Sequence, residues 1–339
     1  MEIKKNYRNQ GIDLLKCFCA FLVVCIHTPF SGYLYHIFAG IDRIAVPIFF
    51  MISGYFYSRA IENNNCFTPV KRILKLLVYA NIIYLVWTFL KIFLGSDRIE
   101  NYFSFRAIFD LVVFDEISWG YHLWYLLTAL VSMVIILYIK RISKTNFVFL
   151  MIPVLLICNL LIGAYSKVIF GRCFPLIYSR NRYFTGIPFY LIGDILYRHN
   201  DEIKKVFNKR LIWILTIPTA IITVLEPWLL SHFDIIGKGD LYVSTIIMAV
   251  IVFIAFCYFY DYRSKLSHWL EVIGEKYSLW IYIMHLIILY YCKRIIPDDG
   301  ALRLVWNNAS PVIVFILTLL FIIVVSSLKK CFAKYLHIK

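Results

Sequence analysis

The sequence predicts an all-α polytopic membrane protein of about ten transmembrane helices with both termini in the cytoplasm. Three observations lead there. Apolar residues make up 61% of the 339-residue chain, well above the roughly 45–50% of ordinary globular domains. Mean hydropathy is +0.75. Apolar runs of about 20 residues, enough to cross ~30 Å of hydrocarbon at ~1.5 Å per residue, recur from one end of the chain to the other.

The runs place spans at 12–30, 37–57, 71–94, 121–139, 147–166, 183–199, 210–231, 241–261, 276–293 and 311–328. The sixth and ninth are short and carry Gly193 and Asp194, or Lys293 and Arg294, near their ends. Orientation follows from the basic residues. With the N-terminus inside, the cytoplasmic segments hold Lys4, Lys5 and Arg8, then Arg59, Lys71 and Arg72, then Lys140, Arg141 and Lys144. They also hold the 198–210 cluster, Arg263, Lys265 and Lys276, and Lys329, Lys330, Lys334 and Lys339, about twice as many as the outside segments. The positive-inside rule selects this topology. The net charge of +15 is then a property of cytoplasmic loops, and no nucleic-acid partner is expected.

The first apolar stretch is full length and is interrupted at its start by Asp13 and Lys16, so it is expected to remain as the first membrane helix rather than be cleaved as a signal. The nine cysteines show no CxxC or Cys/His spacing, and Cys17, Cys19, Cys25, Cys158, Cys257 and Cys292 fall inside spans. They read as small packing residues, with no metal and no disulfide framework expected. Loops are short and no repeat is visible, so residues 1–339 form a single membrane domain. In the longest outside loop, Phe105–Phe114 is an amphipathic piece suited to lie along the interface.

Ionisable residues inside spans are costly and therefore candidates for function. Asp13, Lys16 and His27 lie on the first helix. Lys16 and His27 are eleven residues apart, about 20° around a helix, and Asp13 is one turn from Lys16, so all three share a face. His27 falls in the outer half and Asp13 and Lys16 near the cytoplasmic edge. Lys16 is either a snorkelling interfacial lysine or part of a site. His27 is either a hydrogen-bonded packing histidine beside Thr28 or a general base.

At the cytoplasmic start of the third helix, Arg72 and Lys75 are i,i+3 with Lys71 beside them. This is either a phosphate-binding cluster at a helix N-terminus or the ordinary cytoplasmic charge of a membrane helix. In the second span Arg43 is too deep for an idle charge, and pairing with adjacent Asp42 is awkward because neighbours diverge on a helix; a polar cavity or a structural role remain. Pro47 and Gly54 follow it and would let that helix bend or pack closely. Arg172, Arg180 and Arg182 put positive charge outside, against the inside rule, either for an anionic acceptor or as a tolerated cluster. Tyr282 and His285 are one turn apart near mid-membrane. Trp124, Trp228 and Trp306 suit interfacial anchoring, and Trp124 equally a sugar site.

Together these residues resemble the membrane acyltransferases of acyltransferase family 3. Gly11-Ile12-Asp13-Leu14-Leu15-Lys16, ten further residues and His27 resemble its first-helix signature of a basic residue, ten residues and a histidine. Arg72-Ile73-Leu74-Lys75 resembles its pair of arginines three apart, with lysine in the second place; lysine keeps the charge but loses the planar fork. Phe49–Phe56, His122-Leu123-Trp124-Tyr125-Leu126, and Gly274 through Ser278 and Tyr282 to His285 also fit the pattern. The resemblance implies an enzyme of the bacterial cytoplasmic membrane that moves an acyl group, usually acetyl, from cytoplasmic acetyl-CoA to a sugar hydroxyl of an envelope glycan or its lipid-linked precursor. It implies His27 as the catalytic residue, acting as general base or through a transient acyl-histidine, Asp13 and Lys16 as its supporting polar face, and Lys16, Arg72 and Lys75 as donor-binding residues. Arg43, His122, Trp124, Arg180, Arg182, Tyr282 and His285 would line an acceptor cavity.

A second resemblance is local. Arg43–Phe56, and Ser179-Arg180-Asn181-Arg182-Tyr183-Phe184 through Gly186, Pro188 and Gly193, are similar to the membrane half of the vancomycin-resistance serine racemases. With these 339 residues filled by spans, no racemase domain is expected. The alternative function it implies is transport of a small polar solute such as an amino acid.

Overall fold

The computed structural model describes residues 8–142 and 146–336. Of the cytoplasmic basic residues counted above, Lys4, Lys5, Lys144 and Lys339 lie outside the described residues. The described chain is helices and turns, without a strand. In order the helices are α1 (Gln10–His27), α2 (Gly32–Ile41), α3 (Ala45–Glu62), α4 (Phe67–Phe93), α5 (Phe105–Phe114), α6 (Trp124–Ile142), α7 (Asn146–Ile162) and α8 (Ser166–Phe170). They continue as α9 (Ile187–Arg198), α10 (Asn200–Val206), α11 (Lys209–His232), α12 (Val243–Phe259), α13 (Lys265–Lys276), α14 (Ser278–Ile295) and α15 (Gly300–Leu336).

Each of the ten expected spans contains helix. Among the described residues six helical stretches are long and apolar enough to cross a bilayer: Gln10–His27, Gly32–Glu62, Phe67–Phe93, Tyr121–Ile139, Lys209–His232 and Gly300–Lys330. The pair α13 and α14, bent by 77°, makes a seventh if it is one span. Leu150–Ile162 and Val243–Phe259 are apolar but shorter.

Several boundaries move for local reasons. α1 stops at His27 rather than running to 30. Its last amide bond is Thr28 N–H to Val24 O at 2.9 Å, and Pro29 has no amide proton and disfavours helix at the residue before it. The second span starts earlier, as α2, a 3₁₀ turn at Asp42–Ile44 and α3 run on without a gap. α4 begins at Phe67, so Arg72 and Lys75 lie in its second and third turns. The free amides and the dipole of an N-terminus act over the first turn, so this pair is not at a helix end as expected. The amphipathic Phe105–Phe114 is the helix α5, capped by Ser104, whose Oγ accepts from Ala107 N at 3.2 Å.

The chain forms two compact units. The first draws on the described residues of Met1–Ala45, Lys209–Val224 and Val250–Lys339; the second is Val46–Asn208 with Leu225–Ala249. In the first, α1 is the central element and packs against α13, α14 and α15. Its twelve buried residues include Gly11, Asp13, Cys17 and Cys25. The approach is close at two glycines. A Cβ on Gly274 would stand 1.7 Å from Asp13 O, and one on Gly11 1.9 Å from Phe256 O; no side chain fits at either. In the second unit α6, α7 and α9 pack around a π-helical turn at Arg182–Gly186. The Asn159 amide fixes that turn by donating to Ser179 O at 2.9 Å and Phe184 O at 3.1 Å.

Candidate functional site

The polar face of α1 meets the α13–α14 pair at both of its ends. At the start of α1, Asn9 caps the helix by accepting from Ile12 N at 3.0 Å and donates to Cys257 O at 2.9 Å. Asp13, buried, receives Arg8 Nε at 2.6 Å and Lys16 Nζ at 3.1 Å. Arg8 continues to Glu275 at 2.9 Å and to Glu271 O at 3.3 Å. A buried carboxylate needs such partners, because an unpaired one costs several kcal/mol. Asp13 and Lys16 are thus an ion pair on one face, as the spacing requires, with Arg8 as a partner the sequence did not single out.

At the other end His27 is the last helical residue, half-buried, and its ring lies 5.1 Å from that of His285. His285 is fully buried on α14. Its Nδ1 is 2.8 Å from Tyr282 O and 3.1 Å from Ile281 O. Both are carbonyl acceptors, so Nδ1 carries the proton and Nε2 is the nitrogen with a lone pair. The residues Gly274, Ser278, Tyr282 and His285 have successive roles here. Gly274 admits the backbone of α1, Ser278 donates to Gly274 O at 2.6 Å across the bend, and Tyr282 supplies the carbonyl that orients His285.

His27 opens onto a cavity of about 470 Å³ whose walls include Ser31, Lys293, Trp306, Asn307, Asn308 and Ser310. An indole face among amides and hydroxyls is the chemistry that holds a polyhydroxylated ligand: stacking on the apolar face of a ring, hydrogen bonds at its edge. Trp306 is buried in this wall. The sequence signal missed was the polar pair Asn307-Asn308 ahead of a span, next to a tryptophan. Arg43, also in the first unit, is ion-paired with Asp42 at 3.4 Å. The pairing that looked awkward between neighbours is thus made, with Arg43 Nε as the near atom.

The remaining sequence candidates belong to the second unit, where Arg180 and Arg182 have carboxylate partners, Trp124 and His122 are buried, and Arg72 and Lys75 are exposed. Arg182 pairs with fully buried Asp115 and donates to Val112 O at 2.9 Å. Asp115 also accepts from Thr128 Oγ1 at 2.7 Å and from the Arg182 amide at 2.9 Å. Arg180 pairs with Glu116 at 3.2 Å and covers the Trp124 ring at 5.7 Å. Burial raises the Glu116 carboxyl above its ordinary value against the pull of Arg180. Trp124 is buried against Phe50, and His122 is buried with its ring 4.8 Å from Tyr84. Arg72 and Lys75 are exposed on α4, with Lys75 Nζ 5.7 Å from the Tyr79 ring.

A family model described as an acyltransferase domain, the third acyltransferase family, matches residues 9–329. The chain belongs to this acyltransferase family. Its long apolar helices and its family together make it a multi-pass membrane protein of acyltransferase type. Curated relatives include an amino-acid racemase of Enterococcus faecalis, 25% identical over 320 residues, 86% of this chain and 43% of the relative. A second from the same organism is 27% identical over 258 residues, 70% of this chain and 34% of the relative. A serine/alanine racemase of Enterococcus gallinarum is 23% identical over 293 residues, 82% of this chain and 40% of the relative. The acyltransferase chain thus spans less than half the length of these relatives. No solved structure matches it.

Proposed function

We propose that this protein is an acyl-CoA-dependent O-acyltransferase of the bacterial cytoplasmic membrane. It takes acetyl from cytoplasmic acetyl-CoA and esterifies a sugar hydroxyl of an envelope glycan or its lipid-linked precursor. The observation that carries the reading is His27, set at the end of α1 against buried His285 and opening on the cavity lined by Trp306, Asn308 and Ser310. In this scheme His27 takes the proton of the acceptor hydroxyl as its oxygen attacks the thioester carbonyl. The C–O bond forms, the C–S bond breaks, and the proton passes to the departing CoA thiolate. The C-terminal end of the α1 dipole supports the positive charge that His27 gains in the transition state. Donor phosphates are assigned to Lys16, Arg72 and Lys75 on the family resemblance and their charge. The reading takes ten spans with both ends inside, and reporter fusions should then put 198–210 in the cytoplasm and 167–182 outside.

The racemase names of the relatives favour one other reading, a carrier of amino acids. One experiment separates the two. Purified protein in lipid vesicles that binds acetyl-CoA and acetylates glycan acceptor is an acyltransferase; uptake of labelled serine or alanine without any acyl donor is transport. Mass spectrometry of envelope glycans with and without the gene then identifies the acceptor.

A further inference from the structure

In the sequence Lys293 is only a cation near the end of the ninth apolar run. The structure gives it a place. It stands near the end of α14, in the wall of the cavity onto which His27 opens. No ion pair or hydrogen bond engages its ammonium among the described residues. Basic residues on or beside the polar face of α1 have carboxylate partners, Arg8 in Asp13 and Glu275, Lys16 in Asp13 and Arg43 in Asp42, whereas Lys293 is exposed. Lys293 alone of these faces the cavity with its charge unmatched, beside neutral amides and hydroxyls that cannot match it. His285 and Lys293 are eight residues apart on one helix, a rise of about 12 Å. The cavity has both His27 and Lys293 in its wall.

We infer that the cavity takes an acidic glycan, whose carboxylate or phosphate binds Lys293 while a hydroxyl on a neighbouring ring meets His27. The inference rests on the acyltransferase reading for the role of the hydroxyl, but the anionic subsite can be measured without turnover. A lysine suits this position because its ammonium is a compact point charge that accepts anions of either geometry. The site is open rather than dry, so the charge contributes selectivity of moderate size and strong salt dependence.

The test uses full-length protein in nanodiscs of zwitterionic lipid and three probes: tetragalacturonic acid, its carboxyl-reduced neutral counterpart, and a glycerol phosphate tetramer. Wild type is expected to bind an anionic probe about 10- to 100-fold more tightly than the neutral one, the range of a charge-assisted hydrogen bond. Lys293→Gln should abolish that preference and leave neutral binding unchanged, and Lys293→Arg should retain it. Whichever anionic probe shows the Lys293-dependent preference identifies carboxylate or phosphodiester as the group. Equal binding of all three by wild type, or equal loss of all three in Lys293→Gln, would overturn the inference. So would an effect of Lys293→Gln that follows added anionic lipid rather than glycan charge, since the lysine would then serve the bilayer. Preference intact with no acetyl transfer keeps the subsite and removes the acyltransferase reading instead.

Discussion

The two units pair their buried charges alike but differ in what one polar face leaves open. In the second, Asp115, Glu116 and Asp194 each meet an arginine within the same unit, Arg182, Arg180 and Arg198 respectively. Asp194 also accepts from Ser58. In the first unit the charges at the start of α1 are paired in the same manner, but the other end of the same face finishes on a histidine pair and a cavity. The lesson is that an ionisable residue in a membrane helix signals function only where its partners leave room for something else. Arg180 and Arg182 looked like acceptor ligands in the sequence because their carboxylate partners lie more than sixty residues away.

The contrast can be broken most severely at His27. General-base catalysis is worth about 10²–10⁴ in rate, so His27→Gln should lower acetyl transfer at least a hundredfold. Acetyl-CoA affinity and melting temperature should stay near wild type. Near-normal turnover in folded variant protein would reduce His27 to a packing residue and erase the difference between the units. Arg182→Ala should do the reverse. It strands fully buried Asp115, at about 3–5 kcal/mol, so thermal stability and yield should fall steeply while turnover per folded molecule holds. A loss of turnover without loss of stability would return Arg182 to the site.

A smaller effect sharpens the first unit's geometry. Gly274→Ala drives a methyl into the Asp13 carbonyl and should cost about 1–3 kcal/mol in stability. By parting α13 from α1 it should also slow transfer, whereas Gly274→Ala with unchanged turnover would uncouple the two ends of the α1 face. The smallest change concerns the exposed pair on α4. Neutralising Arg72 and Lys75 together should weaken acetyl-CoA binding about tenfold, below the ~1.5–3 kcal/mol of each fully formed contact because solvent screens them. Lys75→Arg should bind as wild type. Unchanged donor affinity in the double variant would remove the pair from the donor site.

Much was legible without coordinates. Apolar run length gave a helix at every expected span, and the eleven-residue spacing put Lys16 and His27 on one face because helical twist is a local property. The family pattern was equally readable in Gly11 through His27 and in Gly274 through His285. The reason for each glycine was not: Gly11 and Gly274 are demanded by Phe256 O and Asp13 O, atoms on other helices. Sequence likewise overrated the α4 pair as a helix-end site, since nothing local marks Phe67 rather than Lys71 as the start.

What the sequence determined by itself is therefore the class and the helices, which depend on hydrophobicity and periodicity over a few turns, while the catalytic candidate came from the family resemblance. What only the tertiary structure decided is which charges are already satisfied. Pairing depends on distances between segments far apart in the chain, Arg180 with Glu116 or Arg182 with Asp115, and no periodicity encodes those. The same holds for the meeting of His27 with His285 and for the cavity that brings Lys293, Trp306 and Asn308 to one wall. Satisfaction of a buried charge is a property of packing, and packing is where this protein's ion-paired arginines part from its open site.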